Sequence, residues 1–320
     1  MSVHDSKREE IETVQDSERR KLLQCMAWAG AGVLWTMKGG VLSAKTLDGI
    51  ASAADTDFSF LQISDTHIGF HQAANPDVMA TLQSAIAHVS GLARTPSFVL
   101  HTGDVSHLSK PEQFDAAQQA FKGIKADSWF FTPGEHDIIG DDGAEFFKRF
   151  GGGVDGKGYY SFDYKGMHCL CLVNVLGFQA GTMVNLGDEQ LEWVEQDLKK
   201  LSSSTPILVF AHIPLWTVYE PWGWGTGDAP RLYTYLRRFG SVTVLNGHIH
   251  QIQQKIEGNI TFYTARGTAY PQPQPGAAPN PGPLTVPAGQ LGSYLGIREI
   301  RHVSVDGPLA VTDTSLALPA

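Results

Sequence analysis

Five short apolar runs in this 320-residue chain each end on a small set of polar residues, and that repetition restricts the folds open to it. "FLQIS" is followed by Asp65 and His67, "FVLHT" by Gly103 and Asp104, and "WFFT" by the turn carrying Gly134, Glu135, His136 and Asp137. "ILVFA" runs into His212, and "VTVLN" into Gly247, His248, Ile249 and His250. Short runs rich in β-branched and aromatic residues, bounded by glycine and polar turns, read as buried strands. Helical patterns lie between several of them, at about 77–92, 111–125, 141–150, 187–200 and 229–239. In the fourth, Leu191, Val194, Leu198 and Leu201 form the apolar stripe of a helix laid on a sheet. Strands and helices in alternation specify an α/β domain. In open α/β sheets, binding groups gather at the carboxyl ends of strands, so the five polar clusters are expected to meet in one place.

The last third is more strand-like. "HQIQQKIEG", "NITFYTA" and "YLGIREIRHVSVDG" read as paired antiparallel strands, the first two joined around Gly258 and Asn259. Residues 270–290 are too rich in proline and glycine for a helix or a central strand, and form either an ordered loop over the domain or a mobile flap. A hydrophobic content of 42% is that of a core-forming protein, and a net charge of −9 excludes a stable, general nucleic-acid binder, which needs a basic face. Twelve histidines against three cysteines point any metal chemistry toward nitrogen and oxygen ligands. Cys169 and Cys171, two apart in one strand, are badly placed to bridge each other and read as core.

The first fifty residues differ from the rest. Arg19, Arg20 and Lys21 precede the apolar run "LLQCMAWAGAGVLW", followed by Lys38 and the small residues Ala51 to Ala54. A charged region, a short apolar region and an A-x-A site in that order specify an export signal, and the run is too short for a comfortable membrane span. The paired arginines resemble a twin-arginine signal, with Glu18 departing from the usual serine or threonine. Residues 1–53 are therefore expected to be a cleaved signal, leaving a single domain over 54–320 in the periplasm or otherwise outside a bacterial cytoplasm. The export machinery would be a partner, and membrane contact would be transient or through an uncleaved signal. A buried N-terminal helix and an uncleaved anchor are the alternatives.

Carboxylates and imidazoles, set among glycines that let backbone close around an ion, are the ligand types of a two-metal centre. The series D-x-H, G-D, G-x-H-D, H and G-H-x-H resembles the calcineurin-like metallophosphoesterase family, over about Phe58 to Tyr270. "LGDEQLEWVEQDL" resembles the helix that family often carries before its isolated histidine strand. The resemblance implies a four-layer αββα sandwich of two mixed β-sheets flanked by helices. It implies that Asp65, His67 and His250 hold one metal, that Asp104 bridges, and that His212 and His248 hold the other. His136 would stand beside the leaving group, with Asp137 orienting it. Manganese, zinc and iron suit such ligands, and a paired site generates a hydroxide nucleophile at neutral pH. No tyrosine follows Asp104 where purple acid phosphatases carry one, so no iron-tyrosinate centre is expected.

The family ordinarily has asparagine where this chain has Glu135. A glutamate oxygen fills the same coordination position but adds a charge: Asp65, Asp104 and Glu135 set three negative charges against two divalent ions. That weakens attraction for a dianionic monoester more than for a singly charged diester, or supports trivalent iron in one position. The expected activity is hydrolysis of a small phosphate ester, with a diester favoured over a monoester. A non-catalytic metal-binding scaffold is the rival from another class. Trp222 and Trp224, with Trp216 and Tyr219, are candidates to stack on a substrate, Arg266 to touch its phosphate, and His107 to touch the substrate.

Overall fold

The computed structural model describes residues 33–38, 41–46, 57–151, 153–302 and 309–318. The chain divides into two units, Met1–Thr56 and Asp57–Ala320. In the first, β1 (Val33–Lys38) pairs antiparallel with β2 (Val41–Thr46), Val33 opposite Thr46 and Lys38 opposite Val41. Arg19, Arg20, most of the apolar run and the expected cleavage site lie outside the described residues. Among the described residues, no helix is long and apolar enough to cross a membrane.

The second unit holds two mixed sheets. One has five strands in the order β13 (Ala310–Ser315), β12 (Gly296–His302), β3 (Phe58–Ile63), β4 (Phe98–His101) and β5 (Ser128–Phe131). The other has six, in the order β10 (Gln253–Glu257), β11 (Ile260–Thr264), β9 (Val242–Asn246), β8 (Ile207–Phe210), β7 (Met167–Cys171) and β6 (Tyr160–Tyr164). β3, β4 and β5 run parallel, as do β7, β8, β9 and β11, and the antiparallel pairs sit toward the sheet edges. β10 and β11 form the expected hairpin. β12 corrects the sequence reading: it joins the other sheet, between β3 and β13. Its apolar residues find their burial beside β3, and local pattern does not encode that choice.

Side-chain alternation builds the layers. Phe60, Phe98, Leu100, Cys169, Cys171, Leu208 and Phe210 share the core between the sheets, where Phe60 stacks on Phe98 with ring centroids 4.5 Å apart. The alternate residues Leu61, Ile63 and Val99 face outward, against α1 (Val78–Ser90), α2 (Pro111–Phe121) and α3 (Ala144–Phe150). On the other side Leu170, Val209 and Val244 meet α4 (Asp188–Leu198) and α5 (Ala229–Leu236). The result is the four-layer αββα sandwich. Asp77 caps α1 by accepting from Ala80 N at 2.9 Å, and Pro111 opens α2 where no amide is needed. Leu191, Val194 and Leu198 bury the face of α4 that their spacing predicts. Each such leucine contributes about 1.5–3 kcal/mol on leaving water.

Candidate metal centre

Every parallel strand of the five-stranded sheet, and β8 and β9 of the other, ends at the same point. β3 delivers Asp65 and His67, β4 Asp104, β5 Glu135, β8 His212, and β9 His248 and His250. Backbone bonds staple these loops together: Asp65 N donates to Gly103 O (3.0 Å), His67 N to Asp104 O (2.9 Å) and Gly247 N to His212 O (3.0 Å). Asp65, His67, Asp104, His248 and His250 all have left-handed backbone, with φ from +41° to +68°. A non-glycine residue in that region costs about 1–2 kcal/mol, and strain of this kind persists where the surroundings over-determine it. Gly103 is required by close approach: at φ +95°, a Cβ there would lie 2.3 Å from His212 Nδ1.

The ligand atoms fall into two groups sharing an acidic edge. Asp65, His67 and His250 offer atoms within 4.8 Å of one another, as do Glu135, His212 and His248, and Asp104 with Asp65 and His212. His67 Nε2 lies 3.3 Å from His250 Nε2 and 3.3 Å from Asp104 Oδ2, and His250 Nε2 lies 3.2 Å from Asp65 Oδ1. His212 Nε2 is 3.4 Å from Asp104 Oδ2. Glu135 places Oε2 at 2.9 Å from His212 Nε2 and Oε1 at 2.9 Å from His248 Nδ1. Despite that proximity, Glu135 Oε2, His212 Nε2 and His248 Nδ1 are buried without a hydrogen-bond partner. Three orphaned, buried ligand atoms are what a metal position requires, so the residues fit the ions the sequence implies.

Backbone carbonyls fix the tautomers. His212 Nδ1 donates to Thr102 O at 2.7 Å and His250 Nδ1 to Tyr270 O at 2.5 Å, which leaves each Nε2 as the ring's coordinating atom. Burial opposes ionisation of Glu135, yet His248 and His212 hold its carboxyl well below the usual range. Burial likewise opposes protonation of His212, and Asp104 and Glu135 outweigh it, raising its pKa well above 6.5. Burial keeps His67 neutral, reinforced by the neighbouring His136 and His250. The raised pKa of His212 thus favours a proton beside these carboxylates that a metal ion would displace.

His136 lies at the mouth, its ring stacked on His107 at 4.8 Å. Its Nδ1 donates to His107 O at 2.7 Å, and Asp104 and Glu135 raise its pKa against the effect of burial. Asp137 acts on His136 through the backbone of their shared turn. Its carboxylate accepts from the amides of Val105 (3.0 Å), Ser106 (2.8 Å) and Gly134 (3.1 Å), binding the Glu135 turn to the Asp104 loop. Burial, then Asp104, pushes its pKa up to about 7.

Above the cluster is a pocket of about 240 Å³ whose walls include His107, His136, Trp222 and Trp224. Arg266 takes no part: its guanidinium bonds Ser315 Oγ, on β13. Trp216 is core, packed on Phe262 at 5.4 Å, and Tyr219 backs Trp222 at 5.2 Å. Three aromatic wall residues escaped the sequence reading: Phe70, Phe178 and Tyr270. Tyr270 brings its hydroxyl to 3.2 Å from His67 Nε2, a phenol at the cluster supplied by the start of the proline-rich loop rather than by the Asp104 motif. Only its place next to that loop could have flagged it.

Comparison with known proteins agrees with this geometry. A probable glycerophosphodiester phosphodiesterase, GpdQ, of Arcobacter nitrofigilis is 24% identical over 224 residues, covering 66% of this chain and 78% of that protein. Among solved structures, a dimetal phosphatase from Danio rerio superposes with a TM-score of 0.57 at 12% identity, over 81% of this chain and 99% of that one. The purple acid phosphatase PPD1 of yellow lupin gives 0.58 at 13% identity over 81% of this chain, which spans about half (51%) of the lupin chain. These two likenesses show the shared fold. The family model for calcineurin-like phosphoesterases matches residues 58–252, more than half of the sequence and a span that contains all seven candidate ligands. The chain belongs to the calcineurin-like phosphoesterase family.

Proposed function

We propose that this chain is an exported, dinuclear-metal-dependent phosphoesterase that hydrolyses a small phosphodiester. The observation that carries the diester reading is the charge of the pocket. None of its lining residues is a lysine or arginine, and Glu135 adds a third carboxylate to Asp65 and Asp104 beneath it. A dianionic monoester meets no lysine or arginine there to offset its second charge, whereas a singly charged diester forgoes less. The likeness to the Arcobacter protein, a probable glycerophosphodiester phosphodiesterase, supports the same reading.

Asp65, His67 and His250 would hold one ion, His212, His248 and Glu135 the other, with Asp104 between them; manganese, zinc or iron suits this set. Bound there, two such ions supply Lewis-acid activation of the phosphoryl group and a nucleophile at neutral pH. The protein's own residues do the rest. His136, its Nδ1 committed to His107 O, keeps Nε2 for the departing oxygen, and proton donation of that kind contributes roughly 10²–10⁴-fold. Asp137 holds the turn carrying Glu135 and His136 against the Asp104 loop. Phe70, Phe178, Trp222 and Trp224 keep water from the organic group. Export through a twin-arginine route rests on Arg19, Arg20 and the apolar run after them.

The test is hydrolysis of bis-p-nitrophenyl phosphate against p-nitrophenyl phosphate, with manganese, zinc or iron supplied. Metal-dependent turnover favouring the diester is expected. Monoester preference overturns the diester reading, and metal binding without turnover of either ester favours the scaffold.

A further inference from the structure

The proline-rich loop is fastened to the metal cluster at its start. Tyr270 O accepts from His250, Gln251 Nε2 donates to Pro273 O at 2.7 Å, and Gln272 Nε2 donates to His248 O at 2.8 Å. A carbonyl only accepts, so that last bond fixes which end of the Gln272 amide is nitrogen. Its oxygen, Oε1, is buried and has no hydrogen-bond partner among the described residues, on a side chain that lines the pocket. A buried acceptor left unpaired is costly, and a site that keeps one is built for a donor brought from outside. Phe70, Phe178, Trp222, Trp224, Pro281 and Pro283 give the same pocket an apolar part of its wall, beside the polar part made by the cluster.

We propose that Gln272 is a specificity-determining residue whose Oε1 accepts a hydrogen bond from a hydroxyl or N–H on the organic group of the substrate. That group is an uncharged ring with a flat apolar face, such as a nucleoside, and the aromatic wall stacks on it. The inference rests on the phosphodiesterase reading above. Because Gln272 hangs on the backbone of His248, the acceptor sits at a fixed offset from the cluster, so it selects among esters without touching the phosphoryl group. A pocket built to pair a substrate donor discriminates against analogues lacking it far more strongly than apolar fit does.

The experiment compares two diesters with the same leaving group on the metal-loaded full chain. Thymidine 5′-(p-nitrophenyl phosphate) carries a ring N–H and a hydroxyl; bis-p-nitrophenyl phosphate carries neither. The native protein is expected to favour the nucleoside ester in kcat/KM. In Gln272→Met the ratio of the two should fall about tenfold, chiefly through KM, equivalent to about 1.4 kcal/mol. Gln272→Glu retains acceptor oxygens, and its added charge acts alike on two monoanionic esters, so its ratio should stay within about threefold of native. An unchanged ratio in Gln272→Met overturns the proposal. So does an equal fall for both esters, which would make Gln272 a prop for the His248 loop. A native chain that cleaves neither ester removes the diesterase reading and this inference with it, an outcome distinct from a native chain that cleaves both without preference, which refutes the inference alone.

Discussion

Replacing Glu135 by asparagine isolates the charge on which the substrate preference depends. Glu135→Asn keeps a side-chain oxygen for coordination and removes one negative charge, in a side chain within 2.9 Å of both His212 and His248. A monoester dianion carries one more negative charge than a diester, so the substitution relieves one extra charge–charge repulsion for the monoester. At roughly 5 Å and an effective dielectric near 20, that repulsion is about 3 kcal/mol, an upper bound because bound cations and solvent screen it. A shift of ten- to a hundredfold in the monoester to diester ratio of kcat/KM is therefore expected, toward the monoester. The assay is the pair of p-nitrophenyl esters, with metal content measured in both proteins. Equal metal content with an unchanged ratio, or a shift toward the diester, refutes the charge argument.

Metal uptake should release protons, because His212 is held protonated in the metal-free chain by Asp104 and Glu135, and it coordinates only after losing that proton. Apparent affinity should rise with pH until the raised pKa is passed, falling about tenfold per unit below it for each proton displaced; calorimetry in two buffers of different ionisation enthalpy measures the count. In the metal-free chain the same shift contributes stability in full below about pH 6.5, and that contribution fades as the pH climbs through the raised value. Gly103→Ala should displace the His212 ring, which an added Cβ would approach to 2.3 Å, and should lower metal occupancy while the sheets stay folded by circular dichroism. Phe60→Ala, at a fully buried position stacked on Phe98, should cost about 3–5 kcal/mol, which thermal unfolding would register as a loss of roughly 6–20 °C.

The site was legible because its ligands follow immediately on the strands that carry them. "FLQIS", "FVLHT" and "VTVLN" are buried along their whole length, so the runs are predominantly apolar and the ligands follow within a few residues of each strand end. β6 and β13 escaped because they are edge strands, largely half-exposed or exposed, whose apolar faces are only partly buried. The partner of β12 was hidden for another reason: which sheet a strand joins depends on contacts distant in sequence, and β12 pairs with β3, more than two hundred residues earlier. Arg266 follows the last strand of the histidine sheet closely in sequence, yet the chain carries its side chain to Ser315. Asp137 adjoins His136 but spends its oxygens on three amides, a choice set by the fold of the Asp104 loop. Gln272 lies in a segment whose composition announces a loop and nothing more, and its free oxygen becomes visible only once His248 O has claimed its nitrogen.

The central claim is that seven residues from five strand ends hold two ions with Asp104 between them. Counting metal per chain after loading and desalting tests it, in the native protein and in Asp104→Asn, whose residue lies 3.3 Å from His67 and 3.4 Å from His212. Two equivalents in the native chain and one or fewer in the variant are expected. A native chain that retains none, or a variant that still holds two, contradicts the account.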